Sequence, residues 1–323
     1  MGKTYRRTNM KTIKERYAEG QRYIIPTSDW GFKRLFGTEM NKKLLIGLLN
    51  RIIDDREIES VTYLDNEPLL PMKQVRELRF DIYCQCRDGS RVIVEMQNYA
   101  RPSFLDRAQI YTSASILEGY NYSRTKNYKI QKTYFIAILG ENVFPKVDRA
   151  PVRLAMCDVD AKEVNVMNDK LLQIFIELPK FADSLKELGA EASFIGKFAL
   201  AMKSMETFTE CPEELDDDLL RELFAAADTR GYKTRDTEDY RQAIMNEFEY
   251  EETLKDYRRE GRQEGLEEGH RKGLKEGHSK GLEEGITKGI NKRSLEIARA
   301  MKARGMSAED ILALTGIDTE HLK

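Results

Sequence analysis

The chain has 323 residues, 41% hydrophobic and 33% charged, so it can form one sizeable core but is polar for a single compact globule. Its formal net charge of −2 excludes a uniformly basic nucleic-acid coat, so any nucleic-acid surface must be local. Four cysteines do not suggest a disulfide framework, and all three histidines lie in the C-terminal tail, which argues against a histidine-based site in the core. No apolar stretch of about 18 residues and no signal-peptide pattern is found, so we expect a cytoplasmic chain without membrane contact.

Basic residues are concentrated in two segments. The first is residues 1–25, a basic N-terminal segment that we expect to be helical or loosely ordered. Its basic residues are Lys3, Arg6, Arg7, Lys11, Lys14 and Arg16. Those of the second segment are Arg124, Lys126, Lys129 and Lys132, interleaved with three tyrosines. Each segment is compatible with phosphate contact and, equally, with an ordinary solvated surface.

The first predicted core elements are two helices and a strand. Ser28 or Asp29 can cap the first free amides of a helix, and apolar residues follow at helical spacing as far as Phe36. A second helix is predicted from about 41 to 54, and residues 58–64 have the pattern of a strand.

A predicted β-hairpin follows, with Asp81 on its first strand and Glu95 on its second. Side chains alternate along a strand, so the register decides whether these acids face each other. A two-residue turn at Asp88-Gly89 would point Glu95 to the other face. A three-residue loop over 87–89, with Gly89 left-handed, puts Asp81 opposite Glu95, and we favour this register.

Two carboxylates that face each other across neighbouring strands can hold a hard divalent cation such as Mg²⁺. Such a cation can activate water against a phosphodiester. The alternative is an ordinary exposed strand pair with two unrelated acids.

The chain then alternates between helix and strand. A helix is predicted from 104 to about 118, with Arg107 and Tyr111 on one face. Residues 132–139 predict a buried strand, and 151–181 either two short strands or a strand and a helix. Residues 182–250 are predicted to be mostly helical, packed over the core or forming a dimer surface.

The tail contains a repeat, with glycine at every fourth residue from Gly261 to Gly289. Each glycine inside a helix costs about 1 kcal/mol relative to alanine, whereas each i,i+4 charge pair contributes only about 0.2–0.5 kcal/mol. We therefore expect either a flexible spacer or, as we favour, a helix that forms on self-association. Residues 293–323 predict a small helical tip, for which an interaction or oligomerisation role is favoured over a helix-turn-helix reader.

Several blocks stand in a fixed order along the first half of the chain. They are Asp29-x-x-Phe32-Lys33-x-x-Phe36, Asp81, Val94-Glu95-Met96-Gln97 and Phe104-x-x-Arg107-x-x-x-Tyr111. Together they resemble the Rpn-type recombination-promoting nucleases, also called PD-(D/E)XK family transposases, over roughly residues 26–145. The resemblance implies an α/β fold with a restriction-endonuclease-like core, a mixed sheet flanked by helices, and a helical C-terminal extension.

The resemblance also implies roles for individual residues. Asp81 and Glu95 would bind Mg²⁺, for which Mn²⁺ is a possible substitute, and Asp29 would be a supporting acid near the start of the first core helix.

Gln97 would occupy the place usually held by lysine in the wider superfamily, although glutamine is usual within this family. A glutamine amide can hydrogen-bond water or phosphate but supplies no charge. Lys33 and Arg107 are the candidate phosphate contacts that could restore that charge.

The function implied is a metal-dependent DNA endonuclease that hydrolyses phosphodiester bonds and serves recombination or element mobility. Its partners would be DNA and further copies of the chain, joined through the helical C-terminal region. The alternative is a catalytically weak nuclease-like module for DNA binding or oligomerisation, motivated by Gln97 and the low net charge. The predicted segments are the basic segment 1–25, the nuclease-like domain 26–181, the helical region 182–260, the glycine repeat 261–292 and the tip 293–323.

Overall fold

The computed structural model describes residues 10–55, 57–67, 78–99, 103–122, 130–158, 160, 170–318 and 320. Within these residues the strands are β1 (Val61–Tyr63), β2 (Ile82–Cys86), β3 (Arg91–Gln97), β4 (Thr133–Leu139), β5 (Val152–Ala155) and β6 (Leu171–Glu177). They form one mixed sheet in the order β1-β2-β3-β4-β6-β5. The central pairs β3–β4 and β4–β6 are parallel, and the outer pairs are antiparallel.

The helices of the described residues lie mostly before and after the sheet strands. They are α1 (Ile13–Arg16), α2 (Asp29–Phe36), α3 (Lys42–Ile52), α4 (Phe104–Tyr122), α5 (Leu185–Leu188), α6 (Phe194–Ser204), α7 (Asp218–Ala227), α8 (Thr234–Ala303) and α9 (Ala308–Thr315). The predicted helix start is confirmed, because the Ser28 side chain accepts the amide of Gly31 at 3.1 Å at the beginning of α2.

The sheet separates two apolar clusters. Along β4, Tyr134, Ile136 and Ile138 belong to the cluster shared with α2, α3, α6, α7 and the beginning of α8. Phe135 and Ala137 belong to the cluster shared with α4. A strand buried on both faces is typical of a parallel sheet covered by helices. The predicted α/β class, a mixed sheet flanked by helices with a long C-terminal helix, is confirmed.

The β2–β3 hairpin has the register that we favoured. The amide of Cys86 donates to the carbonyl of Ser90 at 2.8 Å, so three residues form the loop. Gly89 adopts φ +86°, a left-handed conformation that side chains disfavour. The last paired residues are Ile82 and Val94. When the register is continued by one residue, Asp81 lies opposite Glu95.

The chain divides into two compact units, Met1–Glu251 and Glu252–Lys323, and the division falls within α8. The glycine repeat is helical in its entirety, and an added Cβ at any of its glycines would meet no atom within 4 Å. In the second unit, Ala298 and Ile311 are buried together, and Ser307 caps α9. The predicted segment boundaries stay a prediction.

The expectation of solvent-facing basic patches is wrong at two positions. Arg16 is buried and its Nε donates to Glu206 Oε1 at 2.7 Å, while the buried Lys132 pairs with Asp55. Neither side chain is placed for phosphate contact, because each neutralises an acid within the fold. Lys3, Arg6, Arg7, Arg124, Lys126 and Lys129 lie outside the described residues. No helix in the described part of the chain is long and apolar enough to span a membrane.

Candidate active site

A cavity of about 400 Å³ opens where β3 ends, and most of the predicted site residues border it. Asp29 is the first residue of α2, and Asp81 immediately precedes β2. Gln97 is the last residue of β3, and Arg107 lies in the first turn of α4. Four segments that are separate in the sequence therefore supply side chains to one space.

Asp81 and Glu95 are held by the backbone of each other's strand. The amide of Asp81 donates to Glu95 Oε1 at 3.1 Å, and the amide of Met96 donates to Asp81 Oδ2 at 2.8 Å. Glu95 is only 2% exposed, so protein groups and not solvent surround its side chain. These reciprocal hydrogen bonds make the two carboxylates converge.

Both predicted basic residues reach these acids. Lys33 Nζ lies 2.7 Å from Asp29 Oδ1 and 3.9 Å from Asp81 Oδ1, because the i,i+4 spacing on α2 brings Lys33 back over Asp29. Arg107 Nη2 lies 3.3 Å from Glu95 Oε2. The site therefore contains two positive charges, one from each of two helices.

The environment disfavours negative charge on both acids. Burial raises the pKa of Asp81 to about 6, against the lowering effect of the Met96 amide and of Lys33. Burial, and then the adjacent charge of Asp81, raise the pKa of Glu95 well above its ordinary value. Two converging acids with raised pKa values favour binding of a cation, which would neutralise both.

The residues fit a divalent metal by the chemistry of their donors. Mg²⁺ prefers oxygen ligands and is commonly held by one or two carboxylates, with water and substrate phosphate completing its shell. Asp81 and Glu95 supply such a pair. Within the described ranges, no group of three or more acidic, histidine or cysteine side chains is arranged to hold a metal, so such side chains alone would not complete the shell.

Gln97 borders the cavity with its amide group. Its Nε2 donates to the carbonyl of Met96 at 3.1 Å. The amide can donate to a bound group but brings no charge, so positive charge in the site comes from Lys33 and Arg107.

The decisive comparison is with protein families. The model of the PD-(D/E)XK nuclease family transposases matches residues 26–256, which is more than half of the chain. The chain belongs to this family. Comparison with curated proteins finds no match, and neither does comparison with solved structures.

Membership of the PD-(D/E)XK nuclease family transposases confirms the resemblance and implies a nuclease-like function, that of a hydrolase acting on phosphodiester bonds. The family also implies a DNA substrate, and its nucleases typically use divalent metals. The match continues to residue 256, well beyond the 145 to which the resemblance had been read, and so includes the beginning of α8.

Sequence reasoning missed the α8 wall of the cavity. Glu247 on α8 accepts the Asn98 side-chain amide at 3.2 Å and the Asp29 main-chain amide at 3.3 Å. Burial is the main cause that raises the pKa of Glu247 to about 7. In the sequence, this wall is marked only by two acids on one face of a helix, a pattern that ordinary amphipathic helices share.

Proposed function

We propose that the protein is a metal-dependent DNA endonuclease that hydrolyses phosphodiester bonds and serves recombination or element mobility. The observation that carries this proposal is the pair of reciprocal hydrogen bonds that join Asp81 and Glu95 beside an open cavity. Lys33 lies close to Asp81, and Arg107 lies close to Glu95. Such convergence of acids and bases in a cleft is typical of a functional site.

In this proposal Asp81 and Glu95 hold Mg²⁺, with Mn²⁺ as a substitute. A divalent cation held by these two carboxylates would lower the pKa of a water and polarise a phosphoryl oxygen. Arg107 keeps Glu95 available as a carboxylate, because its positive charge opposes the rise in the pKa of Glu95. Gln97 hydrogen-bonds the attacking water or the scissile phosphate through its amide.

Lys33 supplies the positive charge that Gln97 lacks, and its ammonium pairs with Asp29, which borders the cavity. Lys33→Gln should lower the cleavage rate about 100-fold, as expected when a charged stabiliser of the transition state is removed. Adding Gln97→Lys to that variant should recover part of the loss, since the charge returns from the end of β3. Lys43→Gln, an exposed position on α3, is the matched control. A double variant as inactive as Lys33→Gln alone would contradict this assignment.

The proposal is tested by nicking of supercoiled plasmid with Mg²⁺ or Mn²⁺. Asp81→Asn and Glu95→Gln should abolish nicking while the proteins remain folded, and Asp106→Asn, an exposed acid on α4, should leave it unchanged. Equal nicking by wild type and both site variants would identify the activity as a contaminant.

A second candidate is a catalytically weak nuclease-like module that binds DNA or assembles. It is favoured by the uncharged amide of Gln97 at the edge of the cavity and by the net charge of −2. Retention of DNA by the wild type, with no cleavage under either metal, would support this candidate over the enzyme.

We also propose that the chain self-associates through its helical C-terminal region. The support is the exposure of large apolar side chains along α8, at Leu266, Leu274 and Leu282, beside glycines at which an added Cβ would meet no atom within 4 Å. The triple variant Leu266→Glu/Leu274→Glu/Leu282→Glu should have a lower mass by light scattering than the wild type. Equal masses would contradict self-association through these positions.

A further inference from the structure

One face of α8 forms a wall of the candidate active site. The residues that border the cavity are Ala243, Asn246, Glu247, Tyr250 and Glu251. Their spacing of three and four residues places them on a single stripe of the helix. The wall of the cavity is therefore one face of a regular helix.

Glu247 connects two of the segments that carry site residues. Its Oε2 accepts the amide of Asp29 at 3.3 Å, and its Oε1 accepts the side-chain amide of Asn98 at 3.2 Å. Asn98 follows Gln97 at the end of β3, and its side chain also donates to the carbonyl of Thr27 at 2.8 Å. One carboxylate thus joins the beginning of α2 to the end of β3.

The contact with Glu247 is not needed to cap helix α2. Ser28 already caps α2 through the amide of Gly31, so the helix begins without help from α8. The carboxylate of Glu247 adds a link at the first position of the helix, where the dipole favours negative charge. What the link determines is where α2 lies relative to the cavity.

Helix α2 packs along α8, and Glu247 lies at the end of this contact nearest the cavity. The ring centroids of Trp30 and Tyr240 are 5.3 Å apart, and Arg34 Nη2 lies 3.3 Å from Asp236 Oδ2. As the α2 residues advance from 29 to 34, their α8 partners go back from 247 to 236, so the two helices are antiparallel in this contact.

We propose that Glu247 is a positioning residue of the candidate active site, which fixes the beginning of α2 against the end of β3 and so sets where Lys33 lies relative to Asp81. This inference rests on the nuclease function proposed above. Lys33 is 3.9 Å from Asp81 Oδ1, so a small displacement of α2 changes how strongly its charge acts in the cavity.

The inference is tested by the kinetics of plasmid nicking with the full-length protein. Glu247→Ala should lower kcat about 10-fold, the order expected from a displacement below 1 Å, with KM nearly unchanged. The double variant Lys33→Gln/Glu247→Ala should be no slower than Lys33→Gln, because both substitutions remove the same contribution. Glu238→Ala, an exposed position on α8 away from the cavity, should behave as wild type.

A second measurement does not require activity. Trp30 is the sole tryptophan of the chain and follows Asp29 on α2, so its fluorescence reports on the beginning of this helix. In metal-free protein, Glu247→Ala should make Trp30 more accessible to acrylamide quenching, and Glu238→Ala should not.

The outcomes separate the two proposals. Wild-type kcat and wild-type quenching in Glu247→Ala would overturn the positioning role, as would losses that multiply in the double variant with Lys33→Gln. Absence of cleavage by the wild type would overturn the nuclease function itself. In that case the quenching measurement alone would decide whether Glu247 positions α2.

Discussion

Asp81 and Glu95 accept backbone amides from each other's strands, and this arrangement holds two carboxylates where burial disfavours their charge. Stability and proposed chemistry therefore make opposite demands on the same residues. The metal-free fold is more stable when one acid is neutral, whereas cation binding requires both to be ionised.

The stability of the metal-free protein should consequently depend on pH through Asp81. Its pKa rises from 3.8 to about 6 on folding, so the native state holds the proton more tightly than the unfolded chain. Stability is then lost as the pH increases through this interval, and Asp81→Asn removes the loss. At pH 8 with chelator, Asp81→Asn should raise the free energy of unfolding by roughly 3 kcal/mol. Denaturant unfolding at pH 8 and pH 4 measures this gain, which should nearly vanish at pH 4; a variant less stable than wild type at pH 8 would contradict it.

Arg107 should control the pH at which the site becomes active. Its positive charge lowers the pKa of Glu95 and of Asp81, so its removal raises both pKa values further. Arg107→Gln should therefore shift the acidic limb of the nicking rate to higher pH, whereas Arg107→Lys, which retains the charge, should shift it less. Acidic limbs that coincide in wild type and Arg107→Gln would exclude this electrostatic role.

At the scale of elements, the hairpin was predictable because its information is local. Loop length and the left-handed requirement at Gly89 fix the register, and the register fixes which acids face each other. The α8 wall was not predictable in this way, since Glu247 lies 149 positions from Asn98 in the chain. The same limit explains the wrong expectation for Arg16, whose partner Glu206 is 190 positions away.

Glycine has opposite consequences in two elements of this chain. At Gly140, after β4, an added Cβ would lie 2.6 Å from the carbonyl oxygen of Asn98, so Gly140→Ala must displace the backbone at the cavity. It should lower both the thermal midpoint and the nicking rate. In the repeat, Gly269→Ala/Gly273→Ala should instead strengthen the helix by about 1 kcal/mol per residue. Thermal unfolding followed by circular dichroism measures the effect of each variant on stability. Changes in stability of the same sign for the two variants would contradict this prediction.

At the scale of the whole molecule, helix α8 belongs to both compact units. Its first part borders the cavity, and its second part carries the glycine repeat. A period of four residues advances by about 40° per repeat around a helix of 3.6 residues per turn, so the glycines wind around α8. A partner helix would therefore contact the repeat over only part of its length.

The proposed chemistry of the whole molecule requires that Asp81 and Glu95 share one divalent cation. Calorimetric titration of the full-length protein with Mn²⁺ measures whether they do. Wild type and the Asp106→Asn control should each bind Mn²⁺ at one site, and this binding should be lost in both Asp81→Asn and Glu95→Gln. Undiminished Mn²⁺ binding by the two site variants would contradict it.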